Sequence, residues 1–137
     1  MTALDTLTEN GLSLGIELPL DNDLARRDVS GQGLFPDLTR HQERAQLADR
    51  LGFRALWLRD VPMWRPRDFG DAGQVFDPIP YLGYLAASTE HILLGTAGIV
   101  LPLRHPVALA KEAATVDVLS GGRLLLGLAS GDRPGEY

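Results

Sequence analysis

Cysteine is absent from all 137 residues, which excludes disulfides, thiolate metal centres and cysteine nucleophiles. Histidine is scarce, and His41, His91 and His105 stand too far apart in sequence to form a short metal-binding motif. No apolar run reaches the length that spans a bilayer. Residues 1–10, with Asp5 and Glu9, lack the basic-then-apolar order of a secretory signal. The expected location is therefore cytoplasmic, with no membrane partner. Basic charge is also in deficit. The net charge is −5 and the arginines are scattered, which argues against a nucleic-acid partner needing clustered Lys and Arg. Neither a solenoid-type repeat nor a low-complexity tract interrupts the chain.

What is present has the balance of an ordinary globular domain, 45% hydrophobic and 23% charged, in a length that suits one domain with a real core. Residues 12–18 (LSLGIEL) predict a first strand, followed by a polar loop over 19–37. Residues 39–51 predict a helix: Thr39 and Gln42 have the spacing of a capping box, Ala45, Ala48 and Leu51 supply an apolar face, and Gly52 ends it. A second strand, RALWL, covers 54–58. The stretch 61–76, with Pro62, Pro66, Gly70 and Gly73, is long enough to predict a functional or disordered loop. Asp77-Pro78 then caps and opens a second helix, in which Ile79, Leu82, Leu85 and Ala86 recur at helical spacing. Residues 92–101 (ILLGTAGIVL) predict a third strand and the turn beyond it. A third helix over 106–119 presents Leu109, Ala113 and Val116 on one face and stops at Gly121-Gly122, before a fourth strand, LLLGLA, at 124–129.

Three of the four strands are near-continuous apolar runs, as expected where both faces of a parallel sheet are covered. Successive strands begin roughly 30 to 40 residues apart, the span of a βα unit. Two architectures fit this alternation: an open doubly wound sheet, or a barrel of eight such units. Periodicity does not choose between them.

Residues 95–127, GTAGIVLPLRHPVALAKEAATVDVLSGGRLLLG, do. This stretch resembles the luciferase-like flavin monooxygenases, in which a strand ending in GTA precedes a His-Pro or Arg-Pro helix start, and LSGGR leads into the next strand. Upstream, a helix ending ADRLGF and the strand RALWLRD agree with the same family. The resemblance implies an α/β fold of TIM-type (β/α)8 barrel class, with this chain supplying about the first four units. It also implies a flavin-dependent oxidoreductase in which reduced FMN, or a deazaflavin, reacts with oxygen or a small organic substrate. Four units alone would leave open sheet edges and an uncovered inner face. Self-association into a homo-oligomer, or an inactive half-barrel with no turnover, is the corresponding expectation.

Barrels of this type hold their sites at the carboxyl ends of the strands, where the βα loops converge. The candidate positions are therefore Glu17, then Arg59 and Asp60, then Thr96, Ala97 and Gly98, and finally Ser130 and Gly131 with Asp132 beyond. Glu17 and Asp60 are the candidate acid–base residues by position. Small residues at Thr96-Ala97-Gly98 would let a flat ring lie against the backbone, where the family commonly has a bulge under the flavin; tight strand–helix packing is the plainer reading. Luciferases themselves can place an Arg beside the flavin phosphate where this chain has Ser130, so Ser130 and Gly131 are either a polar flavin contact or a simple turn. Arg59 either meets the flavin or pairs with Asp60. His105 before Pro106 is expected to cap a helix. The amphipathic run 63–69 reads either as a lid or as a shield for the barrel rim. LSGGR lies between a helix and a strand, the reverse of the order that a phosphate-cradling loop needs, so it is not expected to bind phosphate.

Overall fold

A computed structural model of the chain describes residues 2–9, 11–18, 40–62 and 76–131. The predicted loop at 19–37, the run 63–69 and Asp132 lie outside the described residues. The elements are α1 (Ala3–Thr8), β1 (Gly15–Leu18), α2 (His41–Arg50), β2 (Ala55–Leu58), α3 (Pro78–Ser88), β3 (Leu93–Thr96), β4 (Ile99–Val100), α4 (Pro106–Ser120), β5 (Leu124–Leu125) and β6 (Leu128–Ala129). A short 3-10 turn, Leu101–Leu103, joins β4 to α4.

Strands β1, β2, β3 and β5 form one sheet in that order, every pair parallel. Within this sheet each strand sits beside the one that precedes it there, with no reversal of order, which is the wrapping of a barrel rather than the switch point of a doubly wound sheet. The register aligns Leu18 with Leu58 and Leu58 with Thr96, so the carboxyl ends gather on one rim. The chain is an α/β partial barrel.

Alternation along the strands divides the two faces. Leu18, Leu56, Leu58 and Leu94 point toward the helices and pack against Ala45 and Ala48 of α2, Leu82 and Leu85 of α3, and Leu109 and Val116 of α4. Burying each large side chain here contributes roughly 1.5–3 kcal/mol. The opposite, inward face carries Gly15, Glu17, Ala55, Trp57 and Gly95. Helix α1, opened by a Thr2–Asp5 capping box, stands against β5 and, with Trp57, lines an open cleft of about 610 Å³.

Helix ends follow the local chemistry. The Asp77 carboxylate accepts the Ile79 N–H (3.0 Å) at the start of α3, and Pro78 occupies the first turn. His105 caps α4 by accepting the Ala108 N–H (3.4 Å), and Gly121 ends that helix at φ 71°, in the left-handed region. Helix α2 departs from expectation. It opens at His41 with Arg40 at the cap and no side-chain cap bond, while Thr39 of the expected Thr39–Gln42 capping box lies outside the described residues. Arg40 instead forms an exposed pair with Glu43, and His41 is buried with its Nδ1 2.6 Å from the Tyr81 hydroxyl.

The LSGGR motif has a structural function. Ser120 Oγ accepts the Arg123 N–H (3.2 Å), and Arg123 reaches back with its guanidinium to the carbonyls of Ala86, Thr89, Ile92 and Ser120 and to the Thr89 hydroxyl. One side chain thus satisfies the free carbonyls at the end of α3 and ties them to the start of β5. On the same side of the sheet, the Asp49 carboxylate accepts the N–H groups of Glu90, His91 and Ile92, fixing the turn that enters β3.

Candidate active site at the strand ends

The third strand was expected to run into a turn, with the resemblance implying a bulge at Ala97-Gly98, and the fourth strand was expected to be continuous. Each is broken, and the breaks face each other. Four residues lie between Leu94 and Ile99, whereas only three lie between their partners Leu124 and Leu128, so the third strand carries one extra residue, a β-bulge. It lies at Ala97-Gly98, between β3 and β4. Gly98 has φ 120°, and a Cβ there would lie 2.9 Å from the Ala129 methyl. Both the backbone conformation and the close approach require glycine.

The bulge is held from below by Thr96, which is 1% exposed. Its hydroxyl donates to the Gly127 carbonyl (2.9 Å) and accepts the Gly127 N–H (2.9 Å). The same carbonyl accepts the Ile99 N–H (2.9 Å), and the Ala97 N–H donates to the Leu58 carbonyl (2.7 Å). Gly127 has to be glycine, because a Cβ would run into the carbonyl oxygen of Thr96. The outcome is a fixed shelf in which Ala97 is exposed on the rim and Thr96 is buried beneath it.

Glu17 and Arg59 form an ion pair across β1 and β2 at the same rim. Arg59 was read as a partner for Asp60 or for a ligand; here it pairs with the Glu17 carboxylate. Asp60 instead faces Arg104, with Nη2 2.7 Å from Oδ1, and its second oxygen accepts the Val100 N–H (2.9 Å). Ser130 is exposed just past β6, and Gly131 adopts φ 82° there. Glu17, Arg59 and Ala97 are thus brought to one rim, Thr96 and Asp60 are engaged in holding backbone, and Ser130 and Gly131 lie at the tip of the neighbouring strand.

Trp57 escaped attention in the sequence. It lies on the inward face between Gly15 and Gly95: a Cβ at Gly15 would lie 2.6 Å from the indole Nε1, and one at Gly95 would run into the six-membered ring. The available signal was a large aromatic on the second strand with a glycine on each neighbouring strand. The indole therefore lies flat over both neighbours as a floor below the rim. Arg104, Gly127 and Arg123 also acquire roles that only their partners reveal. No group of three or more His, Asp or Glu side chains among the described residues is placed to hold a metal ion. No described helix is long and apolar enough to cross a membrane.

A family profile described as luciferase-like monooxygenase matches residues 14–137. The chain belongs to that family. It is 40% identical over 97 residues to the oxygenase component of a flavin-dependent trigonelline monooxygenase from Acinetobacter baylyi, an alignment covering 69% of this chain and 25% of that protein. It is 38% identical over 92 residues to an F420-dependent glucose-6-phosphate dehydrogenase from Beutenbergia cavernae, covering 66% of this chain and 26% of the relative. Among solved structures, monooxygenase RslO1 from Streptomyces bottropensis superposes with a TM-score of 0.72 at 26% identity, covering 92% of this chain and 35% of that one. The chain thus spans about a quarter of the length of the curated relatives it matches. Family relatives are flavin-type enzymes, so the shelf can be tested against a flavin. A flat ring fits it: Ala97 presents only a methyl group at the rim, Gly98 presents no side chain, and the bulge is held by buried hydrogen bonds rather than by packing a ligand would displace.

Proposed function

We propose that the shelf at Ala97-Gly98 is the platform for the ring of a reduced flavin, FMN or a deazaflavin, in an oxidoreductase acting on a small organic molecule or on oxygen. The observation that carries this reading is the bulge itself, a backbone conformation that suits glycine, held at the rim by Thr96 and Gly127. The bound flavin would supply the electron-transfer chemistry, and the protein would supply its position.

In this reading Ala97 and Gly98 contact one face of the ring, and Trp57 closes the pocket below it. The Arg59 guanidinium, paired with Glu17, sets the charge at the rim and is the donor that would meet a polar ring edge. Glu17, about half-exposed, is the better placed of the two candidate acid–base carboxylates, because both oxygens of Asp60 are already engaged. Ser130 and Gly131 would approach the polar chain of the cofactor.

The test is a titration of the purified 137-residue chain with FMN and, separately, with a deazaflavin, followed by flavin fluorescence and visible absorption. Saturable binding of one of the two is expected, together with loss of that binding in Gly98→Val, which forces a branched side chain against Ala129. Absence of binding to both at high micromolar concentration would defeat the proposal and favour a non-catalytic role for this segment.

A further inference from the structure

We infer that Arg104, acting through Asp60, is a positioning residue that sets the backbone of the Ala97–Val100 turn and so the shape of the shelf. Strand β4 is only two residues long, and its ladder partner, β6, lies on one side. On the other side β2 has ended at Leu58. Val100 is buried, so its N–H needs an acceptor, and the acceptor is a side chain: the Asp60 carboxylate at 2.9 Å. A side chain thus stands in for the missing backbone ladder, two residues beyond Gly98.

That substitution creates a second requirement. The Asp60 side chain is 1% exposed, and a buried carboxylate without a counter-charge either protonates or moves to water. Arg104 answers it with a 2.7 Å contact to Oδ1. Its other terminal nitrogen donates to Asp77 Oδ2 (2.8 Å), and the remaining Asp77 oxygen caps α3 through Ile79. The two carboxylates, aided by their hydrogen bonds, hold Arg104 firmly in its charged form despite burial that acts the other way. The 3-10 turn positions Arg104 by bonding its N–H to the Leu101 carbonyl (3.0 Å). A continuous line of contacts therefore runs from the start of α3, through Asp77, Arg104 and Asp60, to the Val100 N–H. The start of α3 is a fixed reference, and Arg104 is the element that spans it to the shelf.

The consequence for ring binding rests on the flavin reading above; the control of the turn does not. The experiment compares the full chain with Arg104→Gln and Arg104→Lys by site-resolved amide hydrogen exchange and, in parallel, by FMN and deazaflavin titration. In Arg104→Gln, exchange at Ile99 and Val100 should accelerate by about tenfold or more while Leu56 and Leu58 hold their protection. Arg104→Lys keeps the charge but offers a single point that does not span both carboxylates, so it should rescue part of the protection. Flavin affinity should fall in the same order. Unchanged protection at Val100 in either variant, or a uniform rise across all strands, would overturn the inference. If Arg104→Gln does not fold, the lysine variant decides by the same criterion. If the wild-type chain binds neither cofactor, the flavin reading fails, and the exchange pattern still decides the role of Arg104.

Discussion

Replacing Thr96 by valine tests whether one hydroxyl holds the bulge. Valine has nearly the same shape, so the packing around a side chain that is 1% exposed changes little. What is lost is the pair of 2.9 Å bonds to Gly127. The two ends of that pair are not equally vulnerable. The Gly127 carbonyl keeps the Ile99 N–H, whereas the Gly127 N–H loses its hydroxyl acceptor. An orphaned donor in a half-buried site costs about 1–3 kcal/mol, and the extra methyl group of valine recovers a fraction of that. A net loss of about 2 kcal/mol follows, which in a domain of this size lowers Tm by roughly 6–10 °C. Thr96→Ser keeps the hydroxyl and gives up one methyl group, so it should cost only about 1 kcal/mol. The assay is reversible thermal unfolding by circular dichroism of wild type, Thr96→Val and Thr96→Ser side by side. A valine variant that melts at or above the serine variant would refute the assignment of the hydroxyl as the brace.

Arg123→Met should destabilise by about 3–5 kcal/mol, since it strands carbonyls of Ala86, Thr89 and Ile92 that share a single donor group; urea midpoints would check this, and a loss under 1 kcal/mol would be too small for the clamp described. For Asp49, burial acts to raise the pKa, but the N–H groups of Glu90, His91 and Ile92, with His91 nearby, bring it below its ordinary 3.8. Its contribution to stability is therefore complete above that value and disappears as the pH falls through the lower folded-state value. Wild type should lose stability below about pH 4 more steeply than Asp49→Asn, and parallel slopes in acid urea titrations would contradict this.

The alternation of elements was legible because it depends on local chemistry. Apolar runs mark β2 and β3, Asp77-Pro78 opens α3, and Gly121 closes α4, each through forces acting within a few residues. The resemblance implied a bulge at Ala97-Gly98, but the residues by themselves showed neither it nor the matching break in the fourth strand at Gly127. An apolar run reads as one strand whether or not its partner is a residue shorter, and only the pairing of Leu94 with Leu124 and Ile99 with Leu128 reveals the mismatch. Helix α1 went unread for a related reason, since it is too short to show a periodicity and gains its place from contact with β5.

The candidate site divides along the same line. Where the strand ends fall in the chain is a property of the sequence, and it put Glu17, Arg59, Ala97 and Ser130 at the rim. Which carboxylate meets which arginine is a property of the tertiary structure. Arg59 lies next to Asp60 in the chain, yet adjacent residues of an extended backbone point to opposite sides, so Arg59 turns inward to Glu17 while Asp60 turns to Arg104 and Val100. Sequence determined the letters available at the rim; the pleat of the sheet and the crossing of separate βα units decided their partners.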